Sequence, residues 1–450
     1  MDRRLFLKTT ASALAGISAG GGRALTQRSN ASNQIRSFLE PFAARHDFSG
    51  VVAVQTTDGR SICETFGYAD FESRTATRRS NSFGVESVSK LFTVECLKSL
   101  KTAGKLTLDD PLSKWISDFP NGSAITLRML AQHTAGLARD LSQSELDRQA
   151  PHSTAEVVEA CKRVKPVGVP GAGFNYSNNG YRVLARVIEL AGGGTYPGLV
   201  KETVFQPNAM SSTVEWSVGE TVPNLAKSYL PGVGWASVVR SPSVNMTNYR
   251  GAASFCSTAD DLLKFAASQQ PTTAIAAKAG EHPSIGHDGF GHGYVATCFR
   301  YPVEKTSIVV AGNVESGLFN SLKASLERIV FDGSAKPIDL PTSGMTPGAI
   351  SADLLGSYDL FGSELVLDRD ASGNYFVDAG DGPTSLISIG TDTLFSRVRY
   401  ATLRRQVDAG QVVLGWSEPS GNFTLKKRTW TSTLWPRLRK CEQVRVSFNA

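Results

Sequence analysis

The sequence predicts an α+β chain in two folded units: an antiparallel sheet flanked by helices, with a helical subdomain, and then a C-terminal antiparallel β-barrel. Three observations predict it. A helical pattern near the N-terminus leads into paired strands and a long amphipathic helix, and strand alternation returns between residues 285 and 312. A run rich in Gly, Ser, Pro and Thr follows near Asp332 to Gly348. From Leu354 onward, short alternating segments recur at the spacing of an antiparallel barrel or sandwich.

The 450 residues, 41% hydrophobic and 20% charged, have the composition of an ordinary globular protein too long for one small domain. The boundaries expected are a leader over 1–26, a first domain over 27–333, a linker over 334–348 and a second domain over 349–450.

The leader carries Arg3-Arg4 ahead of a weakly apolar run from Thr9 to Ala19. It has the form of a twin-arginine export signal, too short for a permanent span, so a periplasmic or secreted protein is expected. Gly16-Ile17-Ser18-Ala19-Gly20 matches the Gly-x-Ser-x-Gly nucleophile elbow letter by letter. That elbow needs a strand before it and a helix after it, so it is rejected here.

The formal charge of +6 halves once Asp2, Arg3, Arg4, Lys8 and Arg23 are set aside, which argues against nucleic acid as a partner. The six cysteines have no metal-ligand spacing and are read mostly as small buried residues, so neither metal nor organic cofactor is expected.

Residues 27–40 read as a helix with Ile35, Phe38 and Leu39 on one face, ended or kinked by Pro41. Strands follow at Gly50 to Val54 and Ser61 to Phe66 around a turn at Asp58-Gly59. The next helix buries Leu91, Val94, Leu97 and Leu100 and stops at Gly104. Where it begins stand Ser87 and Lys90, the chain's only Ser-x-x-Lys pair. A serine is a nucleophile only when something takes its proton, and a lysine one turn on lies on the same face.

Beyond Leu106 the chain turns largely helical. Thr126 caps a helix from Leu127 to His133, and His133 is read as a structural hydrogen-bonding residue. A Pro/Gly-rich loop, 166–173, delivers Tyr176 and Asn178 on a loop before a helix with Tyr181, Leu184, Ile188 and Ala191 on one face. Tyr176 can serve as a base only if nearby positive charge, available from Lys90, lowers its pKa. Asn178 offers an amide that both donates and accepts.

Residues 216–250 read as a loop whose aromatics pack an excursion or line a cleft. Ser257 and Thr258 open a helix over Leu262 to Ala267, with Asp260 and Asp261 as helix-start charges. The stretch from Ile285 to Tyr294 then sets His287 and His292 among glycines ahead of strands at Val295 to Tyr301 and Thr306 to Gly312. Glycines on a strand let a substrate approach the backbone, and an N–H there can form half of an oxyanion hole.

In this order, Ser87-x-x-Lys90, Tyr176-x-Asn178 and His287-x-Gly289 resemble the serine β-lactamase and penicillin-binding-protein superfamily. The branch is that of class C β-lactamases, D-Ala-D-Ala carboxypeptidases, D-aminopeptidases and related esterases. Gly104 to Pro111, Ile125 to Thr134 and Ser257 to Leu262 are similar to its signature segments as well, and the resemblance covers roughly residues 35–330.

It implies that Ser87 is acylated, that Lys90 holds its proton relay, and that Tyr176 is base and later acid. Asn178 would contact the substrate amide, His287 and Gly289 fill the third motif, and the N–H groups of Ser87 and Phe290 receive the oxyanion. Gly293-Tyr294 favours His287 over His292 as the motif residue. Histidine where many members carry lysine tilts the substrate toward D-amino-acid peptides, with β-lactams and small esters as alternatives. A non-catalytic sensor of cell-wall fragments or β-lactams is the rival of another class. Glu86 departs from the small residue that often precedes the nucleophile. The tail resembles a lipocalin-like domain; its basic cluster, Lys426, Lys427, Arg428, Arg437, Arg439 and Lys440, reads as a solvated face, with contact to an anionic envelope polymer as the alternative.

Overall fold

The computed structural model describes residues 30–217, 221–270, 277–278, 282–334, 347–360, 363–379, 383–418 and 421–428. The leader, most of the linker, Cys441 and the basic residues beyond Arg428 lie outside them. The chain divides into two compact units, residues 1–339 and 340–450.

The first unit is built on an antiparallel sheet. Helix α1 (30–44) precedes β1 (Gly50–Thr56) and β2 (Ser61–Phe66), and the sheet is completed by β3 (Ser284–Gly291), β4 (Tyr294–Tyr301) and β5 (Thr306–Gly312). The order is β3-β4-β5-β1-β2, with the two-residue strand Ala277–Lys278 beyond β3. Helix α1 runs through Pro41, where the sequence predicts an end or kink. Phe42 is 4% exposed and packs edge-on to Phe38, so burial of the last turn outweighs the missing N–H.

The central helix α2 (Ser89–Thr102) follows a 3-10 turn, Glu86–Val88, which carries Ser87. Leu91, Val94, Leu97 and Leu100 are buried as their spacing predicts, and so are Phe92, Thr93 and Cys96 on the other flank. A helix buried on several faces is a fixed mount. Phe92 meets Phe205, Phe255 and Phe265 edge-on, each contact worth about 0.5–1.5 kcal/mol beyond burial.

The helical subdomain includes α3 (Leu127–Ala131) and α4 (Asn178–Gly192). Thr126 caps α3 by accepting from the Met129 N–H at 3.2 Å, and Ser177 caps α4 by accepting from the Gly180 N–H at 3.1 Å. Asn178 is therefore the first residue of a helix and not a loop residue. Residues 216–250, read as loop from sequence, contain a short hairpin, Tyr229–Pro231 with Val238–Arg240. Helix α5 (Ala259–Ser268), capped by Thr258, packs against the sheet. Cys96, Cys161, Cys256 and Cys298 are buried and Cys63 partly so.

The second unit is an eight-stranded antiparallel meander from Gly356–Leu360 to Gly421–Lys426. A bridge between Tyr358 and Lys427 nearly closes it into a barrel. Its interior holds Leu365, Leu367, Leu394, Leu403 and Leu414.

Candidate active site

Three elements distant in sequence meet at Ser87. Lys90 Nζ lies 2.8 Å from Ser87 Oγ, because α2 brings the lysine one turn round onto the serine's face. The Tyr176 hydroxyl donates to the same oxygen at 2.9 Å from the segment that leads into α4. Strand β3 passes the turn from the other side. A methyl group at Gly289 would fall 2.3 Å from the Val85 carbonyl oxygen and 3.1 Å from Ser87 N, so only glycine admits this approach.

Lys90 is 1% exposed and donates to the Ala252 carbonyl at 2.9 Å. Among the described residues, no carboxylate is hydrogen-bonded to it. Burial therefore disfavours the ammonium form and pulls the pKa down to about 7, against a partial pull upward from Asp140. Tyr176 moves the other way. Burial pushes its phenol above the ordinary value, and the hydrogen bond to Ser87 and the charge of Arg139 only partly offset this.

The sequence-based condition asks for a tyrosine acidified by a lysine cation; here burial shifts the two groups in opposite directions, bringing the Lys90 ammonium close to losing its proton near neutral pH and leaving the Tyr176 phenol harder to ionise. A serine hydroxyl has one proton and two lone pairs. Tyr176 and Lys90 Nζ both donate to Ser87 Oγ, and once Lys90 is in its amine form its lone pair can instead take the serine's proton. The arrangement can therefore move a proton from serine to amine while a phenol stands ready to donate.

His133 is buried, accepts from the Ser177 N–H on Nδ1 at 3.0 Å and stacks on Tyr176 with centroids 4.3 Å apart. Burial, then the Lys90 and His287 charges, lower its pKa to about 3, so it braces the Tyr176 ring as a neutral imidazole. His287 also reaches the site, its ring centroid 6.2 Å from that of Tyr176, and its Nδ1 contacts the Asp288 carbonyl. His292 does not join Tyr176; its Nδ1 lies 2.9 Å from Glu86 Oε2. Phe290 is half-exposed and tilted toward Phe319 at 6.2 Å.

Asn178 is held by a residue the sequence did not single out. Its Nδ2 donates to Asp140 at 2.8 Å, and Asp140 in turn accepts from the buried Arg182 at 3.1 Å. Asn178 Oδ1 is buried and has no partner among the described residues. Arg139, largely exposed, sets its guanidinium 5.4 Å over the Tyr176 ring. No local pattern marks Asp140 or Arg139; the signal is a through-space contact across 38 positions.

With this geometry in view, the family model described as Beta-lactamase matches residues 35–322, nearly two thirds of the chain. The chain belongs to the beta-lactamase family. The match contains Ser87, Lys90, Tyr176, Asn178 and His287 and ends ahead of the barrel. Penicillin-binding protein 4* of Bacillus subtilis (strain 168) is 26% identical over 252 residues, which cover 53% of this chain and 56% of that protein. The chain spans about half the length of the curated relatives it matches.

Among solved structures, a D-amino acid amidase from Ochrobactrum anthropi SV3, complexed with L-phenylalanine amide, is 21% identical with a TM-score of 0.59. That alignment covers 67% of this chain and 97% of the amidase. SurE, 20% identical with a TM-score of 0.58, covers 90% of this chain and 99% of its own. These likenesses show the shared fold.

Proposed function

We propose that the protein is an exported serine hydrolase of this family that works through an acyl-Ser87 intermediate on amide or ester bonds, and that its substrates are peptides or amides containing D-amino acids. The observation that carries the reading is Ser87 Oγ held between Lys90 Nζ at 2.8 Å and the Tyr176 hydroxyl at 2.9 Å, with both partners buried.

In this mechanism Ser87 Oγ attacks the substrate carbonyl carbon as its proton passes to Lys90 Nζ. The oxyanion is received by the N–H groups of Ser87 and Phe290, and Asn178 contacts the substrate amide. Tyr176 gives its proton to the leaving nitrogen or oxygen as the bond to the carbonyl carbon breaks, and Lys90 restores that proton to the phenolate. Water then attacks the acyl-serine, losing its proton to the same pair, and Ser87 leaves with a proton regained. The net reaction is hydrolysis, with no charge left on the protein.

The likeness to a D-amino acid amidase supports the D-residue preference, and so does a histidine at 287 in place of a permanent cation. Export rests on the Arg3-Arg4 leader, which lies outside the described residues. No helix among the described residues is long and apolar enough to cross a membrane.

The test is labelling with a fluorophosphonate, followed by turnover of D-aminoacyl amides, D-Ala-D-Ala peptides, nitrocefin and short p-nitrophenyl esters. Labelling is expected on Ser87 and absent in Ser87→Ala. An intact wild type that neither labels nor turns over any substrate would count for a sensor that binds without hydrolysis.

A further inference from the structure

The residue before the nucleophile is the departure that the mechanism above does not use. Glu86 is 1% exposed and adopts φ +47, a left-handed conformation rare for a residue with a Cβ. Its carboxylate reaches away from Ser87 to His292 Nδ1 at 2.9 Å. His292 is also left-handed, with φ +51, in the turn that joins β3 to β4.

Alternate residues of a strand share a face. His287, Gly289 and Gly291 thus lie on one face of β3, and a methyl group at Gly291 would come within 3.3 Å of Glu86 Oε2. Two glycines let the strand press close to the Ser87 turn but supply no side chain to hold it there. Glu86 and His292 supply that link.

The groups around the link come from several elements. The Tyr249 ring stands edge-on to His292 at 4.8 Å, and Glu315, from the segment after β5, accepts from the Gly293 N–H at 2.7 Å. Burial raises the Glu315 pKa to about 7. For His292, burial lowers the pKa, but the charges of Glu86, Glu315 and Asp140 together with the Glu86 hydrogen bond outweigh it and leave the ring above its ordinary value.

We propose that Glu86 and His292 are a positioning pair: their contact clamps the turn that presents Ser87 to the hairpin that presents Phe290, and so fixes the gap between the two N–H groups that receive the oxyanion. The proposal rests on the acyl-Ser87 reading. The pair touches no reacting atom; it acts through the backbone at 87 and 290.

The test compares purified full-length wild type with Glu86→Met, His292→Leu and His292→Asn; methionine keeps the length of the glutamate side chain but offers no oxygen to the histidine. Asn places a neutral donor near the position of Nδ1, whereas Leu removes it. Two quantities are read: the second-order fluorophosphonate labelling constant, and the rate ratio for a p-nitrophenyl ester and its thionoester. Sulfur fits an oxyanion hole poorly, so the ratio reports on that hole and not on general integrity.

Losing one oxyanion donor costs about 100- to 1,000-fold, so displacing one is expected to slow labelling about 10-fold or more in Glu86→Met and His292→Leu. KM for the ester should stay within about 3-fold, the ester to thionoester ratio should fall, and His292→Asn should recover most of both losses. Should His292→Leu not fold, Glu86→Met, which removes the acceptor and nearly keeps the side chain's volume, carries the same comparison. Labelling within about 2-fold of wild type in Glu86→Met, or slower labelling with an unchanged ratio, overturns the proposal while leaving Ser87 as nucleophile. Labelling that survives Ser87→Ala overturns the nucleophile reading and the proposal with it.

Discussion

Lys90 Nζ stands 2.8 Å from Ser87 Oγ in a site where the lysine is 1% exposed and, among the described residues, hydrogen-bonded to no carboxylate. The cost of burying its charge is what makes Lys90 a base near neutral pH, and it should be visible in stability as well as in rate.

In the unfolded chain a lysine titrates near about 10.4, against about 7 for Lys90 in the fold. Between these values the unfolded state binds more protons, so stability rises with pH across the window, and the cost is fully present below about 7. Lys90→Met is therefore expected to be more stable than wild type at pH 7, and so to melt higher, with a gain on the order of a few kcal/mol less the lost bonds to Ser87 and Ala252. The gap should narrow toward pH 10, while acylation falls at least about 100-fold. Thermal melts across that pH range check this, and a gap independent of pH would place the proton elsewhere.

Tyr176 keeps its proton, so its removal should hurt most where the leaving group needs one. Tyr176→Phe is expected to lower kcat on amides about 100-fold or more, and on p-nitrophenyl esters, whose leaving group departs as an anion, much less. Equal losses on both substrates would assign Tyr176 to orientation and not to acid catalysis.

Asp140 holds the Asn178 amide at 2.8 Å and the buried Arg182 at 3.1 Å. Asp140→Ala frees Asn178 to rotate, and KM for amide substrates should rise about 10-fold, as expected when a hydrogen bond to a charged group worth about 1.5–3 kcal/mol is lost. Steady-state kinetics on a D-aminoacyl amide decide it; an unchanged KM would remove Asp140 from substrate positioning.

Gly289 faces the Val85 carbonyl with no room for a methyl group. Gly289→Ala should cost about 1–3 kcal/mol by overpacking and slow labelling of Ser87, because the strand must retreat from the turn. Denaturation together with fluorophosphonate kinetics reads both effects. A variant that labels at the wild-type rate would mean that the spacing of strand and turn does not limit acylation.

His287 lies 6.2 Å from the Tyr176 ring centroid, where a permanent cation would face a substrate carboxylate. His287→Lys should shift kcat/KM about 10-fold toward D-Ala-D-Ala peptides with a free carboxylate, relative to D-aminoacyl amides, as one added charge-assisted hydrogen bond would do. An unaltered ranking in the turnover panel would remove the basis for the D-amide preference.

The sequence by itself determined the order Ser87, Lys90, Tyr176, Asn178, His287 and Gly289, together with the main strands and the caps at Thr126 and Thr258. These features are local: periodicity, capping chemistry and motif spacing act over a few residues. The end it allowed at Pro41 and the loop position it gave Asn178 do not hold, because packing of Phe42 carries the first helix on to residue 44 and the Ser177 cap makes Asn178 the first residue of its helix.

Only the tertiary structure decided which way the protons lie. Desolvation pulls the Lys90 pKa down to about 7 and pushes that of Tyr176 up, a property of the whole surrounding shell that no motif encodes. The same holds for Asp140 beneath Asn178, and for the contact of Glu86 with His292 across 206 positions. Contacts made through space by groups so far apart in the chain exist only once the sheet and the central helix have packed.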